Sequence, residues 1–250
     1  MNLSQLMEFF FGLFGLRNAV FLIGMSERID LLSISVSDLQ DAIRRGQTPH
    51  AHRIALARLV SRVFCVADQF HGRLPLVEAL MEKFPRAGCA YCHSLPCACT
   101  DTRPDHTPYP PDPVQQQWSL RDWCRHIDAV YGERNHQRGF DHMLCRLFRE
   151  VEELRSISRQ VPRMQWSAEK ILREHALELA DILSWIMSIA NNLDVDLEQA
   201  VLARYGEGCT SCATNPCTCT HFLEAQIDWE RVVDTSDGSI RASSQQLPRG

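Results

Sequence analysis

The chain has 250 residues, 45% of them hydrophobic, and a formal net charge of -5 at pH 7. This length allows a substantial core, and the acidic balance argues against nucleic acids and anionic membranes, whose phosphates are bound by clustered Lys and Arg. Glu8, Arg17 and Asn18 interrupt the apolar start, which also lacks the basic segment of a signal peptide. We therefore expect a cytoplasmic protein with no membrane span, whose eleven cysteines are free or metal-bound.

Residues 1–99 are predicted to form a helical unit that ends in a cysteine loop. The apolar residues have helical spacing, and no run alternates as in a strand. The loop reads CAYCHSLPCAC, and four thiolates within eleven residues predict a tetrahedral site with Zn²⁺ as first candidate. An iron–sulfur cluster, or a site shared with a second loop, is the alternative. The predicted structural ligands are Cys89, Cys92, Cys97 and Cys99.

A polar, Pro-rich segment at 100–117 has the composition of a linker. It leads into a second helical unit, 118–220, in which Asp196 is expected to cap a short helix that ends near Tyr205. This unit closes with CTSCATNPCTC, which has the same cysteine spacing as the first loop. Residues 221–250 are predicted to hold a C-terminal helix and a disordered tail. The second set of zinc ligands is Cys209, Cys212, Cys217 and Cys219.

The two units also match outside their cysteines. FGLRN at 14–18 aligns with YGERN at 131–135, and Lys83 aligns with Arg204. We interpret the chain as a tandem duplication of a unit of roughly 100–120 residues, each unit having about four helices and a cysteine loop. The expected fold is all-α, with two helical-bundle units in tandem.

Two helices of the second unit carry paired acids. Glu150 and Glu153 lie in REVEEL, and Glu178 and Asp181 lie in ELAD. Residues three apart share one flank of a helix, and several buried carboxylates are costly unless a cation compensates them. Oxygen-only ligands suit Mg²⁺ or Mn²⁺. The alternative is a pair of solvated helix faces, but two such pairs on adjacent helices favour a metal site.

An E-x-x-E pair followed by E-x-x-D across a helical hairpin resembles the MazG-like superfamily of all-α nucleoside triphosphate pyrophosphohydrolases. The similarity runs from about Tyr131 to Tyr205 and includes YGERNHQRG and IANNLDVDLEQAV. It implies hydrolysis of (d)NTPs to monophosphate and pyrophosphate. One departure is visible: Arg149 and Glu152 stand at the first and fourth positions of a segment that commonly reads E-E-x-G-E. The implied Mg²⁺ ligands are Glu150, Glu153, Glu178 and Asp181.

The resemblance also suggests roles in catalysis and substrate binding. Either Glu150 or Glu153 would take the proton of the attacking water, and the sequence leaves open which one does. The alternative for the basic candidates is a solvent-exposed side chain. The alternative for the tryptophan is a position in the core or at an interface. Those candidates are Arg134, Arg138 and Lys170 for the phosphates, Asn191 on the substrate side, and Trp185 for stacking on a base.

The first unit has lost most of these acids. Its aligned positions hold Ser35, Asp38, Ala55 and Arg58, so we expect no Mg²⁺ there, because Arg58 repels a cation. Members of the family form dimers or larger assemblies. The resemblance therefore suggests an intramolecular pseudo-dimer, with a further homodimer open, in which the first unit shapes the pocket. The rival is a unit that only packs or regulates.

The function predicted from the sequence is Mg²⁺-dependent nucleotide pyrophosphohydrolysis at one carboxylate cluster. A non-catalytic module that senses nucleotides or metal is the first alternative, and a phosphoribosyl-ATP-type hydrolase is the second. The base and sugar preferences stay open.

Overall fold

The structure, a computed structural model, describes residues 1–21, 23–99 and 110–219. The described residues form seven α-helices and no strand, which confirms the all-α prediction. The predicted C-terminal helix and tail, and most of the predicted linker, lie outside the described residues. None of the described helices combines the length and apolarity that a membrane crossing requires. The helices are α1 (Leu3–Val20), α2 (Met25–Arg44), α3 (Pro49–Asp68), α4 (Leu76–Lys83), α5 (Leu120–Gln160), α6 (Ala168–Asn192) and α7 (Leu197–Tyr205).

Side-chain caps mark the starts of five of the seven described helices, α1, α3, α5, α6 and α7. Asn2 and Ser119 open α1 and α5, and each forms a capping box, in which the cap side chain and the third helical residue exchange hydrogen bonds with each other's backbone N–H. Asp196 caps α7 and accepts a hydrogen bond from the backbone of Gln199 at 3.0 Å. The cap predicted at Asp196 is confirmed, as is the end of its helix at Tyr205.

Gly139 breaks α5 into two segments. Its φ of 73° and ψ of 176° lie in a region that is essentially restricted to glycine. In the alignment of the two halves, Gly139 falls at the connection between α1 and α2. The second half therefore has the same succession of helical segments as the first, with a single-residue break where the first half has a short loop.

The core is built around α3 and α6. Every residue from 55 to 67 in α3 is buried, and α6 is buried throughout 186–190. Helix α3 packs against α1 and α2 of its own half, and α6 packs against α5. The short last helices cross over: α7 packs on α3, and α4 packs on α6. Each half therefore completes the core of the other.

Each cysteine loop also contacts the opposite half of the chain. The backbone N–H of Cys97 donates to the carbonyl of Val130 in α5 at 2.9 Å, and that of Cys217 donates to the carbonyl of Leu13 in α1 at 2.7 Å. Val130 and Leu13 are matching positions, since each directly precedes the aligned Y/F-G-x-R-N segment. Each loop is thus anchored to the opposite half by an equivalent hydrogen bond.

Side-chain contacts follow the same alignment. Asn18 donates to the sulfur of Cys65 at 3.4 Å, and Asn135 donates to the hydroxyl of Ser188 at 3.1 Å. Both asparagines are buried, so these bonds satisfy amide groups that would otherwise be costly to bury. Two edge-to-face aromatic pairs also correspond. They are Phe84 with Tyr131 at 6.1 Å and Phe14 with Tyr205 at 5.8 Å between ring centroids.

The last part of the predicted linker belongs to the fold. Gln115 is buried, its side-chain amide donates to the carbonyl of Phe84 at 2.9 Å, and its side-chain oxygen accepts from the backbone of Arg86 at 2.9 Å. Gln115 also begins a short 3₁₀ turn, Gln115–Gln117. The polar composition predicted a free segment, whereas a single glutamine holds this end against the segment that follows α4.

We expect Gly139→Ala to lower the free energy of unfolding by about 1–3 kcal/mol, because an alanine in this backbone conformation is strained. Gly12→Ala is the matched control, since Gly12 lies inside α1 with no atom within 4 Å of its added Cβ. That substitution should raise the free energy of unfolding by roughly 0.5–1 kcal/mol. Urea titration followed by circular dichroism measures both values. A shift of the same sign for both variants would contradict the assignment of strain to Gly139.

Candidate active site and metal centres

Three of the four predicted acidic ligands converge between α5 and α6. Carboxylate oxygens of Glu150, Glu178 and Asp181 lie within 4.8 Å of one another. Glu153 is not part of this group; its carboxylate forms an ion pair of 2.7 Å with Arg149 and a hydrogen bond with Glu150. The helical spacing predicted that all four acids share one side of the helix pair. The ion pair with Arg149 holds the fourth acid, Glu153, at the edge of the cluster.

Burial and mutual repulsion perturb the acids. Burial raises the pKa of Glu150 to about 8, and the negative charges of Asp181 and Glu153 add to the rise. Burial also raises the pKa of Glu178 to about 7, although nearby Lys83 acts in the opposite direction. One carboxylate oxygen of Glu178 is buried without a hydrogen-bond partner among the described residues. This cluster of oxygen donors is suited to a hard divalent cation, which would relieve both effects.

The cation nearest to the acids comes from the other half of the chain. The ammonium group of Lys83, at the end of α4, forms an ion pair with Asp181. Lys83 had been singled out only by its alignment with Arg204. Its place at the site depends on the packing of α4 against α6, which the sequence did not predict.

A cavity of about 330 Å³ opens beside the carboxylates. This volume lies within the range of small-molecule sites in proteins. Residues of both halves line it, so the crossed packing also forms its walls. From the second half these include Glu150, Asp181, Arg134, Arg138, Arg146 and Trp185, and from the first half Lys83, Phe84, Cys89, Tyr91, Cys97 and Cys99.

The five predicted substrate-binding residues divide into two groups. Arg134, Arg138 and Trp185 line the cavity. Lys170 does not, since its ammonium group lies over the ring of Trp166 at 4.6 Å. Asn191 is also outside the cavity wall, and its amide donates to the carbonyl of Cys124 at 2.9 Å, which ties α6 to α5. Arg146 was missed, although it belongs to the same run of arginines on α5.

Each cysteine loop gathers its four sulfurs around one point. In the first loop, the sulfurs of Cys89 and Cys99 are 3.6 Å apart and those of Cys92 and Cys97 are 3.9 Å apart. The equivalent distances in the second loop are 3.7 Å and 3.9 Å. A tetrahedron with Zn–S bonds of about 2.3 Å has sulfur–sulfur edges of about 3.8 Å. The spacing fits a single ion such as Zn²⁺ in each loop, and it fits neither disulfides nor one site shared by both loops.

Backbone N–H groups point at one sulfur in each loop. The N–H of Ala98 donates to Cys92 at 3.3 Å, and that of Thr218 donates to Cys212 at 3.4 Å. Burial alone would raise the pKa of both thiols, but the hydrogen bonds outweigh it and lower the pKa to about 6 for Cys92 and about 5 for Cys212. Each loop therefore has one thiol that favours the thiolate, the form that binds metal, whereas burial raises the pKa of the Cys97, Cys99, Cys217 and Cys219 thiols.

The aligned positions of the first half form no acidic cluster. Arg58, aligned with Asp181, pairs with Asp38 at 3.5 Å. Burial and the positive charge of Arg204 lower the pKa of Arg58, and Arg62 also lines the small cavity beside it. Ser35 donates to the carbonyl of Leu31 at 3.0 Å. The described part of the first half thus places a basic cluster where the second half has its acids.

Comparison with protein-family models, with curated proteins and with solved structures found no match to this chain.

Proposed function

We propose that the chain is a Mg²⁺- or Mn²⁺-dependent nucleotide pyrophosphohydrolase that cleaves (d)NTPs to monophosphate and pyrophosphate. The observation that carries the proposal is the convergence of Glu150, Glu178 and Asp181 beside a cavity lined by arginines. In this proposal the two halves are MazG-like units that form an intramolecular pseudo-dimer with one hydrolytic site. The matching caps, asparagine contacts and crossed loops of the two halves support it.

The three converging acids would hold the cation, which would neutralise the triphosphate and lower the pKa of a bound water. Glu150 belongs to the acidic cluster and is hydrogen-bonded to Glu153, so one member of this glutamate pair would accept the proton of the attacking water. Glu153 keeps a lowered pKa because hydrogen bonds from Arg149 and Glu150 outweigh its burial. It is therefore ionised at neutral pH, as a general base must be.

The cations on the cavity wall would bind the phosphates. Arg134 has a buried Nε without a hydrogen-bond partner among the described residues, so a phosphate oxygen would satisfy an otherwise costly donor. Arg138 and Arg146 line the same cavity and add positive charge to it. Lys83 faces the acids from the opposite half.

The two cysteine loops would hold structural Zn²⁺. Each loop is fixed to the other half of the chain by a backbone hydrogen bond from its third cysteine. An ion that orders the loop would therefore also stabilise the contact between the halves.

We expect Glu150→Gln and Asp181→Asn each to lower turnover of (d)NTPs by at least about 100-fold, because each removes a charged metal ligand. Pyrophosphate release from a panel of eight NTPs and dNTPs with Mg²⁺ measures the effect and names the preferred base.

Glu152→Gln is the matched control for this experiment. Glu152 lies on α5 between the two glutamates, but its exposed side chain pairs with Arg155 and does not face the cluster. Its turnover should stay within about twofold of wild type. Nucleotide binding without turnover by the wild-type protein would contradict the hydrolase and favour the sensing module.

The stability of the metal-free protein is expected to fall as pH rises from about 4.5 to about 8 and to level off above that. The pKa values of Glu150 and Glu178 are raised from about 4.5 to about 8 and about 7, so the folded state binds more protons than the unfolded state over this range. The stabilising contribution is complete below pH 4.5 and is lost as these groups ionise in the folded state.

Urea unfolding at a series of pH values tests this expectation. Glu150→Gln should flatten the fall, because glutamine does not titrate, and Mg²⁺ should flatten it in wild type, because the ion binds the ionised acids. Equal slopes for wild type and Glu150→Gln would contradict the assigned environment of Glu150.

The purified wild-type chain should contain about two zinc ions. Cys92→Ser and Cys212→Ser should each retain about one ion, since each substitution removes one ligand of one cluster. Cys145→Ser is the control, because Cys145 is exposed and lies outside both loops, and it should keep both ions. Metal analysis together with acid-labile sulfide measures the content. Iron with stoichiometric sulfide would contradict the zinc assignment.

A further inference from the structure

The first cysteine loop forms one wall of the carboxylate cavity. Cys89, Tyr91, Cys97 and Cys99 all line it. Among the described residues, the second loop has no part in this cavity; its Cys209 and Thr210 instead border a small cavity of about 20 Å³ next to Arg58. The two loops have the same cysteine geometry, so they differ in what they are placed against and in the residues between their cysteines.

The first loop is held firmly against α5. The hydroxyl of Tyr131 donates to the sulfur of Cys89 at 3.7 Å, in addition to the backbone hydrogen bond between Cys97 and Val130. Arg134 and Arg138 follow on the same helix, one and two turns beyond Val130. The loop therefore sits at a fixed distance from the side chains that would bind phosphates.

Tyr91 is the main chemical difference between the two loops at the cavity. It stands between the first two cysteines, where the second loop has Ser211. Tyr91 is partly buried and lines the cavity with its loop. Tyr131, on the same wall, carries the guanidinium of Arg134 over its ring at 5.2 Å and lies edge-on to Phe84. The ring of Tyr131 thus takes part in the packing of the halves.

We propose that Tyr91 stacks on the nucleobase of the bound nucleotide, and that the metal-ordered first cysteine loop positions it for this purpose. The inference deepens the proposed function and rests on it, since it requires a nucleotide whose triphosphate lies against the acids and arginines. An aromatic ring stacks on any base with modest selectivity. The cysteine loop of the first half would then contact the nucleoside, and the acids of the second half would hydrolyse the triphosphate.

The test uses the full-length, zinc-loaded chain with Tyr91→Ser, which installs the residue of the second loop, and Tyr91→Phe, which keeps the ring. The probes are a (d)NTP analogue that cannot be cleaved between the α and β phosphates, and inorganic tripolyphosphate, both with Mg²⁺. Calorimetry gives the Kd, and pyrophosphate release gives kcat and KM.

Tyr91→Ser is expected to raise the Kd and KM for the nucleotide by about 5- to 100-fold. It should leave the Kd of tripolyphosphate, which has no base, within about twofold, and Tyr91→Phe should match wild type for both probes. A loss of tripolyphosphate binding equal to the loss of nucleotide binding would overturn the inference, because it would show that Tyr91 only maintains the fold of the wall. An unchanged nucleotide Kd in Tyr91→Ser, with a raised Kd in Trp185→Ala, would also overturn it and assign stacking to Trp185.

The matched cysteine variants test the role of the loop. Cys92→Ser should weaken nucleotide binding by more than Cys212→Ser does, although each loses one metal ion and the same kind of contact between the halves. Equal weakening by both would overturn the positioning role of the first loop. These outcomes differ from a failure of the proposed function itself, in which the wild-type chain would cleave no nucleotide, whether or not it binds one.

Discussion

The candidate site depends on the exchange of the last helix and the cysteine loop between the two halves of the chain. Helix α4 lies on α6, and α7 lies on α3, so the apolar faces of the central helices are buried by segments of the opposite half. Burial of such faces is the main stabilising term in folding. The same exchange brings Lys83 to Asp181 and the first cysteine loop to the cavity. The packing that joins the halves therefore also completes the walls of the site.

The exchange is nearly symmetric in geometry, but its two sides differ in charge. The second half brings three partly buried acids together, whose repulsion and desolvation raise the pKa of Glu150 and Glu178. In the first half Arg58 stands at the position of Asp181 and pairs with Asp38. A local ion pair thus stabilises one side, whereas the acids of the other side meet Lys83 of the first half and, in the proposed function, would also bind a divalent cation. One scaffold can in this way support an acidic cluster on one side and a basic cluster on the other.

The cysteine loops add stability where the exchange is made. Each is a short segment whose sulfurs are brought together by its own turns, with Gly88 and Gly208 at positive φ before the first cysteine. A Cβ at Gly88 would lie 2.7 Å from the carbonyl oxygen of Ser94, so the first turn can close only around glycine. Because the geometry is local, both loops can form the same site despite their different surroundings.

The sequence by itself determined the features that depend on short-range spacing. Helical periodicity gave the all-α fold, Asp196 gave a helix start, and the cysteine spacing gave two four-sulfur sites, since each involves residues within a few turns of one another. Only the tertiary structure decided which side chains enter the cavity. Lys83 and Asp181 are 98 residues apart in the chain, and their contact follows from the packing of α4 on α6. The same packing admits Tyr91, whereas a neighbouring arginine holds Glu153 at the rim and a nearby tryptophan holds Lys170 outside. Which of several nearby groups a side chain binds depends on tertiary contacts, and short-range sequence patterns do not determine these.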